Sequence, residues 1–328
     1  MRSLSDNALK FFRLLAGRRR SYPEEIQIEV TNACNLTCSM CPHTLGLIPQ
    51  NHFPYSLFEQ LIQKNPAPKR LVLTGWGEPL MHPQFFEFIA LANRHWQNTS
   101  VRFTTNGILL NEEMCEQILR HRIAAVTVSV DLWQDSRNWR PELRDLLHPP
   151  SPKVIRNLQN YLQHQELTGK TPLILQMVVI RENVEDIKAY IDFARQYKQS
   201  HINLVRMQVY PEMQVERMTW QEEQQVLKEL IQYGQERKVR VRTVNRQNLL
   251  LRLATHFDHI CLRTDDSLYI TIDGTCTPCC NLRTCDIGSL TDSSSSIAEI
   301  WNSEAERNFF SNQQSICGKC DALFHCYR

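Results

Sequence analysis

The sequence predicts an α/β fold in which a partial (βα)6 TIM-type barrel carries a small cysteine-rich C-terminal domain. Two observations predict it. Short strand-like runs alternate with helical segments through the first two thirds of the chain, and this alternation is typical of parallel sheets. From about residue 258, cysteine, glycine and turn residues replace the helical periodicity.

Each predicted strand is a short apolar run followed by an amphipathic helical run. The strands are 25–30, 70–76, 100–107, 124–131, 172–180 and 202–210, and the helices between them are 56–64, 83–95, 112–119, 154–164 and 184–196. Six strands are too few for a closed eight-stranded barrel, so an open barrel or a doubly wound sheet is expected. In both folds, ligands bind at the carboxyl ends of the strands.

The chain divides into four predicted parts. These are an N-terminal amphipathic helix (1–21), the barrel (22–215), a connecting helix and strand (216–257) and the cysteine-rich domain (258–328). Thr219 and Glu222 form a capping box that opens the connecting helix, and 238–244 alternates like a strand. The N-terminal helix has an apolar stripe, and we expect it to pack on its own domain rather than on a membrane.

Composition excludes several classes of protein. The 328 residues are 42% hydrophobic and carry a formal net charge of +2, which argues against a disordered chain and a nucleic-acid-binding protein. No signal peptide or membrane-spanning run is recognisable, so a cytoplasmic location is expected. Structural disulfides are rare there, and the 12 cysteines indicate metal or iron–sulfur binding.

The first cysteine cluster follows the first predicted strand. Cys34, Cys38 and Cys41 have the spacing C-x3-C-x2-C, whereas a structural zinc site needs four ligands. His43 is the nearest fourth candidate, but its position two residues after Cys41 is poor for the same ion. Three thiolates suit a [4Fe–4S] cluster that keeps one iron open for another ligand.

This spacing, on a loop after the first strand of a partial barrel, resembles the radical S-adenosylmethionine (SAM) superfamily. The resemblance implies that SAM chelates the open iron and is cleaved reductively to methionine and a 5′-deoxyadenosyl radical, which abstracts a substrate hydrogen. Members commonly have an aromatic residue before the last cysteine. This chain has Met40, whose thioether can still pack against adenine.

Other strand ends resemble the SAM pocket of that family. "TGWGEP" places Gly75, Trp76, Gly77 and Glu78 after the second strand; glycines allow close approach of a ligand, and Glu78 can accept from the SAM ammonium. A plain turn at the end of the strand is the alternative.

The third, fourth and fifth strands add further pocket candidates by the same resemblance. Thr105 and Asn106 lie in "TTNG", and Ser129 and Asp131 in "VSVD", with Ser129 expected at the SAM carboxylate and Asp131 near the ribose or substrate. An arginine commonly completes the carboxylate contact. We select Arg144 over Arg137 and Arg140, and Ile180, with Val179 as its alternative, for the adenine.

Three polar residues in otherwise apolar strands are candidate substrate contacts. They are Gln176, Arg206 and Gln208. A polar side chain inside a barrel must find a partner, and an internal hydrogen bond is an equal alternative to a substrate. No residue is assigned as the catalytic acid or base.

The second cysteine cluster resembles the SPASM domain and its shorter form, the twitch domain, which carry auxiliary [4Fe–4S] clusters. The resemblance implies one auxiliary cluster on Cys261, Cys279, Cys317 and Cys320, with a second one possible. The reserve ligands are Cys276, Cys280, Cys285 and Cys326. A zinc ribbon is the alternative. Cys115, alone in a helical run, is expected to be a buried small apolar residue.

Two classes of substrate remain open. One is a small sugar-like or cyclitol-like molecule that is oxidised or epimerised; the other is a peptide crosslinked by a maturase. Peptide maturases often begin with a recognition domain of roughly 80 residues, and the barrel here begins near residue 22, which favours the small substrate. A flavodoxin- or ferredoxin-type protein is the expected electron donor, and an iron–sulfur electron carrier is the non-enzymatic alternative.

Overall fold

The computed structural model describes residues 12–13, 19–38, 41, 49–130, 152–199, 201–207, 218–243, 261, 263–292, 296–317 and 320. Strands and helices alternate as predicted. The first half contains β1 (Glu25–Ile28), α1 (Tyr55–Lys64), β2 (Arg70–Leu73), α2 (Phe85–His95), β3 (Ser100–Thr105), α3 (Glu112–Arg120) and β4 (Ala125–Ser129).

The second half continues the alternation before the C-terminal region changes character. It contains α4 (Pro152–Thr168), β5 (Leu173–Val179), α5 (Val184–Gln196), β6 (His201–Arg206), α6 (Trp220–Glu236) and β7 (Arg240–Thr243). The C-terminal region contains β8 (Ser267–Ile270), β9 (Thr275–Thr277), β10 (Gly288–Ser289), α7 (Ile297–Trp301), α8 (Glu304–Ser311) and α9 (Gln313–Ile316). The predicted α/β fold class is confirmed.

The described strands form one sheet in the order β10-β9-β8-β1-β2-β3-β4-β5-β6-β7. β1 to β7 run parallel, and β8 adds in parallel to the free side of β1, with Glu25 beside Ser267 and Ile28 beside Ile270. β9 and β10 complete a short antiparallel extension. The C-terminal region is therefore joined to the barrel by a strand, although the predicted domain boundaries themselves stay a prediction.

The two faces of the sheet differ in polarity. Leu71, Phe103, Val126, Leu175 and Leu204 are buried on the side that the helices cover, where α1 and α2 pack ring on ring through Phe58 and Phe88. Residues at the alternate positions, including Thr104, Thr127 and Asn203, are only partly buried. Because side chains alternate along a strand, the opposite, concave face is only partly buried, and it carries polar side chains among apolar ones such as Ile174 and Val178.

Local signals in the sequence explain where several helices begin. The Thr219 hydroxyl accepts from the Glu222 amide and the Glu222 carboxylate accepts from the Thr219 amide, which confirms the predicted capping box of α6. Asn111 caps α3 through the Met114 amide. Each cap satisfies a backbone N–H that has no partner inside the helix.

The N-terminal segment contacts the C-terminal region. Arg13 forms an ion pair with Asp265 at 2.6 Å, and the Trp301 indole donates to the Arg20 carbonyl at 2.8 Å. The described part of this segment thus packs on its own chain, as expected. Among the described residues no helix has the length and apolar character that a membrane crossing requires.

Candidate active site

The cysteine loop is held at both of its ends by backbone and amide contacts. The Asn32 side chain donates to the Pro49 carbonyl at 2.8 Å and accepts from the Asn51 amide at 2.6 Å. The Phe53 amide donates to the Val30 carbonyl at 2.8 Å. These bonds close the segment that carries Cys34, Cys38 and Cys41 at the carboxyl end of β1.

The glycine-containing loop after β2 packs directly on the start of the cysteine loop. The Gly77 amide donates to the Thr31 carbonyl at 3.2 Å, and the Glu78 amide donates to the Ala33 carbonyl at 2.8 Å. A Cβ at position 77 would lie 2.5 Å from the carbonyl oxygens of Thr31 and Ala33. Glycine is thus required at position 77 for loop-to-loop packing, beyond the ligand approach that the sequence suggested.

The Glu78 carboxylate joins the ends of β2 and β3 from a buried position. Its carboxylate accepts from the Thr105 hydroxyl at 2.7 Å, the Asn106 amide at 2.8 Å and the Leu80 amide at 3.2 Å. Burial raises its pKa to about 7, and these donors act against that rise. Both carboxylate oxygens already bind within the protein, so Glu78 shapes the pocket, while its predicted contact with the SAM ammonium stays a prediction.

Asn106 connects this arrangement to the first cysteine. Its side-chain amide donates to Asn35 Oδ1 at 2.8 Å and lies 3.9 Å from Cys34 Sγ. Cys41 Sγ lies 3.9 Å from the Trp76 carbonyl oxygen. The structure therefore brings together the cysteine loop, the "GWGEP" loop and the "TTNG" turn, which the sequence placed at neighbouring strand ends.

Ser129 and Gln176 lie side by side on the concave face. They are register partners of β4 and β5, and Asn203 of β6 continues the row beside Gln176. Each is partly buried. Ile180 is buried at the end of β5, where its amide donates to Asn183 Oδ1 at 3.0 Å.

Arg206 has a different environment. It is the register partner of the buried Val179, and it forms an ion pair with Glu223 of α6 at 2.7 Å. Its charge is thus engaged within the protein, which matches the internal partner named as the alternative to a substrate contact. Met40, Asp131, Arg144, Gln208 and Cys326, with Arg137 and Arg140, lie outside the described residues.

Sequence reasoning missed a buried cluster that we call the inner bridge: Glu29, Trp76 and Arg283. Glu29 is fully buried, and both of its oxygens contact Arg283 Nη1, at 2.7 and 2.6 Å. They also accept from the Trp76 amide at 3.0 Å and the Ile272 amide at 3.3 Å. The Arg283 guanidinium lies 4.4 Å from the centre of the Trp76 ring. The signal for this cluster in the sequence was the position of Glu29, a charged residue that directly follows the first predicted strand core.

A second arginine of the C-terminal region, Arg263, contacts Gln27 of β1, two residues before Glu29. Arg263 donates to Gln27 at 2.8 Å, and Gln27 donates to the Thr74 carbonyl at 2.8 Å. The nearby thiols of Cys280 and Cys279 raise the pKa of Arg263. β1 therefore connects the cysteines of the C-terminal region with the loop after β2.

The auxiliary cysteines are brought together largely as expected. Cys317 packs with Cys261, Cys285 and Cys320 against Phe309 and Leu282. Cys279 lies near Cys280 and Cys261, and burial is the main cause that raises its pKa. Cys276 is instead a fully buried member of the main core, and Cys115 is buried as predicted.

The donor sets suit iron–sulfur clusters. Thiols are the common ligands at both sites, and thiolates favour such clusters over hard cations. The described residues contain no group of His, Cys, Asp or Glu side chains arranged around a single metal ion, but a cubane cluster binds each thiolate at a different iron. Burial is the main cause that raises the pKa of Cys34, so cluster binding must displace its proton.

The two C-x2-C turns share one backbone geometry. The Cys41 amide donates to the Cys38 carbonyl at 2.9 Å, and the Cys320 amide donates to the Cys317 carbonyl at 2.8 Å. Each turn presents its two sulphur atoms from one tight loop. Cys34, Cys38 and Cys41 would hold the first cluster, and Cys261, Cys279, Cys317 and Cys320 the second.

Comparison with known families agrees with this geometry. The sequence profile of the radical SAM superfamily matches residues 28–194, and that of the iron–sulfur cluster-binding SPASM domain matches residues 261–321. The chain belongs to the radical SAM superfamily. It uses a [4Fe–4S] cluster and SAM, with auxiliary iron–sulfur binding in the SPASM domain, which confirms the cofactors predicted from the sequence.

Individual relatives match over part of their length. The tungsten-containing aldehyde ferredoxin oxidoreductase cofactor-modifying protein of Pyrococcus furiosus is 26% identical over 165 residues, 49% of this chain and 45% of the relative. Mycofactocin maturase MftC of Mycobacterium tuberculosis is 24% identical over 172 residues, 52% of this chain and 41% of the relative. The chain thus spans less than half the length of these relatives.

A solved structure matches nearly the whole chain. Streptococcus suis SuiB bound to its precursor peptide SuiA has a TM-score of 0.70 at 14% identity, and the match covers 97% of this chain and 74% of SuiB. At this identity the likeness establishes the fold. It confirms a radical SAM barrel followed by a SPASM-type domain.

Proposed function

We propose that this radical SAM enzyme oxidises a peptide or a segment of a protein, in the manner of a peptide maturase. When bound, the catalytic cluster on Cys34, Cys38 and Cys41 together with SAM would supply a 5′-deoxyadenosyl radical able to take one hydrogen atom from the substrate. An auxiliary cluster on Cys261, Cys279, Cys317 and Cys320 would supply the acceptor for the electron that is lost with a proton. A flavodoxin- or ferredoxin-type donor supplies the starting electron. The setting is a reducing compartment such as the cytoplasm, where the cysteines stay available for clusters.

The observation that carries this proposal is the width of the polar row on the concave face. The row formed by Ser129, Gln176 and Asn203 crosses three neighbouring strands. On β7, the next strand, Arg240 and Arg242 are exposed. Among the described strands, none pairs with the outer side of β7. An extended chain that lies along this row would meet amide and hydroxyl groups suited to its backbone.

The comparisons support the peptide over the smaller substrate that the sequence favoured. The SuiB structure contains a precursor peptide, and mycofactocin maturase is by name a maturase. The second candidate is a small molecule, because the Pyrococcus furiosus relative is by name a cofactor-modifying protein.

The chain's own residues position rather than perform the radical chemistry. Glu78 and Asn106 fix the relative placement of three loops. Ser129 and Gln176 are available to orient SAM and substrate on the concave face. The helices bury the face of the sheet opposite to the site and keep water away from that face.

The test uses anaerobically reconstituted full-length chain with SAM and a strong reductant. Peptides encoded beside this gene are compared with sugar-like and cyclitol-like compounds, and 5′-deoxyadenosine and substrate mass are measured. We expect deoxyadenosine to rise with one peptide, whose mass falls by two hydrogens, one taken as an atom by the radical and one released as a proton.

The matched control replaces Cys34, Cys38 and Cys41 with alanine, which should abolish SAM cleavage. Turnover confined to a small compound would refute the peptide proposal and support the second candidate. Cleavage that survives the triple substitution would show that the catalytic cluster lies elsewhere.

A further inference from the structure

The inner bridge joins two parts of the enzyme that are otherwise distinct in sequence. Arg283 lies between Cys280 and Cys285 in the SPASM domain, whereas Trp76 lies in the loop after β2 that lines the predicted SAM pocket. Glu29 follows β1 and contacts both of them. One carboxylate thus contacts both the SPASM loop and the loop after β2.

The contacts leave this carboxylate little freedom. Its oxygens receive Arg283 and two backbone amides, from Trp76 and Ile272. Buried charges are costly unless paired and hydrogen-bonded, so the position of Arg283 determines where Glu29 can lie. The Trp76 amide donates to Glu29, so the position of Glu29 in turn constrains the position of this amide.

Trp76 is also next to the catalytic cysteines. Its carbonyl oxygen lies 3.9 Å from Cys41 Sγ, and its ring stacks on the Arg283 guanidinium. Gly77 and Glu78, which follow it, bond to the cysteine loop. The chain of contacts therefore runs from Arg283, which lies between Cys280 and Cys285 in the sequence, through Glu29 and Trp76 to Cys41.

We propose that Arg283 is a positioning residue through which the SPASM loop sets the geometry of the SAM-binding loop, so that affinity for SAM depends on the auxiliary domain. The inference does not depend on the class of substrate. SAM binding can be measured without substrate or turnover, so its failure and failure of the peptide proposal are distinguishable.

The molecule provides a matched control, which we call the outer bridge: Arg19, Trp301 and Glu306. Arg19 contacts Glu306 at 2.6 Å and lies 4.4 Å from the Trp301 ring centre. The side chains of Arg19 and Arg283 are 15% and 12% exposed, and both glutamates are fully buried. The two bridges thus share chemistry and burial, and only the inner one touches the SAM-binding loop.

The experiment compares R283Q and R283K with R19Q and R19K in reconstituted full-length enzyme. SAM affinity is measured by equilibrium dialysis without reductant, and the spectrum of the reduced catalytic cluster is recorded by EPR with and without SAM. Loss of a residue that orients a ligand site typically costs about 10- to 100-fold. We expect this loss in R283Q with catalytic iron retained, a smaller loss in R283K, and wild-type affinity in both Arg19 variants.

The EPR change on adding SAM should be altered in R283Q and normal in R19Q. Lysine keeps a charge toward Glu29 but cannot reproduce the fork and stacking of arginine, so R283K remains informative if R283Q does not fold. Unchanged SAM affinity in R283K and R283Q would overturn the proposal. A loss of SAM affinity in R19K and R19Q as large as in R283K and R283Q would also overturn it.

A double-mutant cycle tests whether the effect of the auxiliary cluster on SAM affinity runs through Arg283. Cys317→Ser should weaken the auxiliary cluster and lower SAM affinity in the wild type, but should add little in an R283K background. Coupled residues give non-additive effects, whereas independent ones add. Strict additivity of the two substitutions would contradict transmission through Arg283.

Discussion

The inner and outer bridges are built from the same three residue types but differ in what surrounds the carboxylate. Glu29 receives an arginine and two backbone amides. Glu306 is paired with Arg19, and no backbone amide among the described residues donates to its oxygens. The inner carboxylate is thus fixed by the fold on several sides, whereas the outer one depends on a segment near the N-terminus.

The comparison shows that the further contacts of a buried ion pair, rather than the pair itself, decide its role. The outer bridge fastens the N-terminal segment to the C-terminal region and reaches no described part of the predicted SAM pocket. The inner bridge holds an amide of the loop that approaches Cys41. Equal burial and equal chemistry therefore support unequal roles.

The largest expected effect comes from Glu29→Ala. It leaves Arg283 buried without its partner and removes the acceptor of two amides, and breaking a buried pair costs about 3–5 kcal/mol. Urea unfolding of the cluster-free chain should show a larger loss for this variant than for Glu306→Ala. A larger loss in Glu306→Ala would reverse the ranking of the two bridges.

Gly77→Ala should disturb the packing of the loop after β2 on the cysteine loop, beside the inner bridge, and should leave the outer bridge intact. Its Cβ would lie 2.5 Å from two backbone oxygens, and overpacking typically costs about 1–3 kcal/mol. We expect lower thermal stability and weaker SAM binding, measured by dialysis. Gly169→Ala is the control, because nothing lies within 4 Å of its Cβ and only its φ of +66° opposes alanine; it should leave SAM affinity unchanged.

The outer bridge should make stability depend on pH. Burial raises the pKa of Glu306 from 4.5 to about 7, although Arg19 acts against the rise; Cys285 is also near. Between these pH values the folded state keeps a proton that the unfolded state has lost, so stability falls as pH rises through this window.

Glu306→Gln should remove that part of the pH dependence, an effect on the order of 1 kcal/mol. Urea midpoints measured from pH 5 to pH 8 check it, with Glu29→Gln as the comparison. Glu78, whose pKa burial also raises to about 7, keeps its own share of the slope. A slope of unchanged size in Glu306→Gln would therefore assign the titration to another group.

The smallest effect is expected from an exposed pair that belongs to neither bridge. Arg120 and Glu116 of α3 lie 3.1 Å apart, with side chains 64% and 56% exposed. Arg120→Ala should change the free energy of unfolding by less than about 0.5 kcal/mol. This measurement sets the baseline against which the buried pairs are judged, and a loss as large as that of R19Q would remove the distinction.

The fold was readable from the sequence because each of its signals is local. Alternating apolar residues gave β1 to β7, and the Thr219 capping box gave the start of α6. The C-x3-C-x2-C spacing and the motifs at strand ends led to the catalytic region for the same reason. Parallel strands bring their carboxyl ends together, so neighbouring motifs become neighbours in space.

Other features required contacts between distant residues. Glu29 and Arg283 are separated by 254 positions, and nothing in either local sequence identifies the other as its partner. For Arg206, a polar residue in an apolar strand, the sequence left a substrate contact and an internal partner open, because Glu223, with which it forms an ion pair, comes from the following helix. The parallel pairing of β8 with β1 was also hidden, since the cysteine-rich texture indicated a separate unit.

That pairing of β8 with β1 has a consequence for biogenesis. Among the described strands, Glu25–Ile28 obtains its second neighbour from Ser267–Ile270, so one edge of the strand that leads into the catalytic cysteines lacks this neighbour until residues 267–270 have been synthesised. Long-range pairing of this kind slows folding and exposes strand edges. The strand that leads into the catalytic cysteines therefore acquires both of its neighbours only after β2 to β7 have been synthesised.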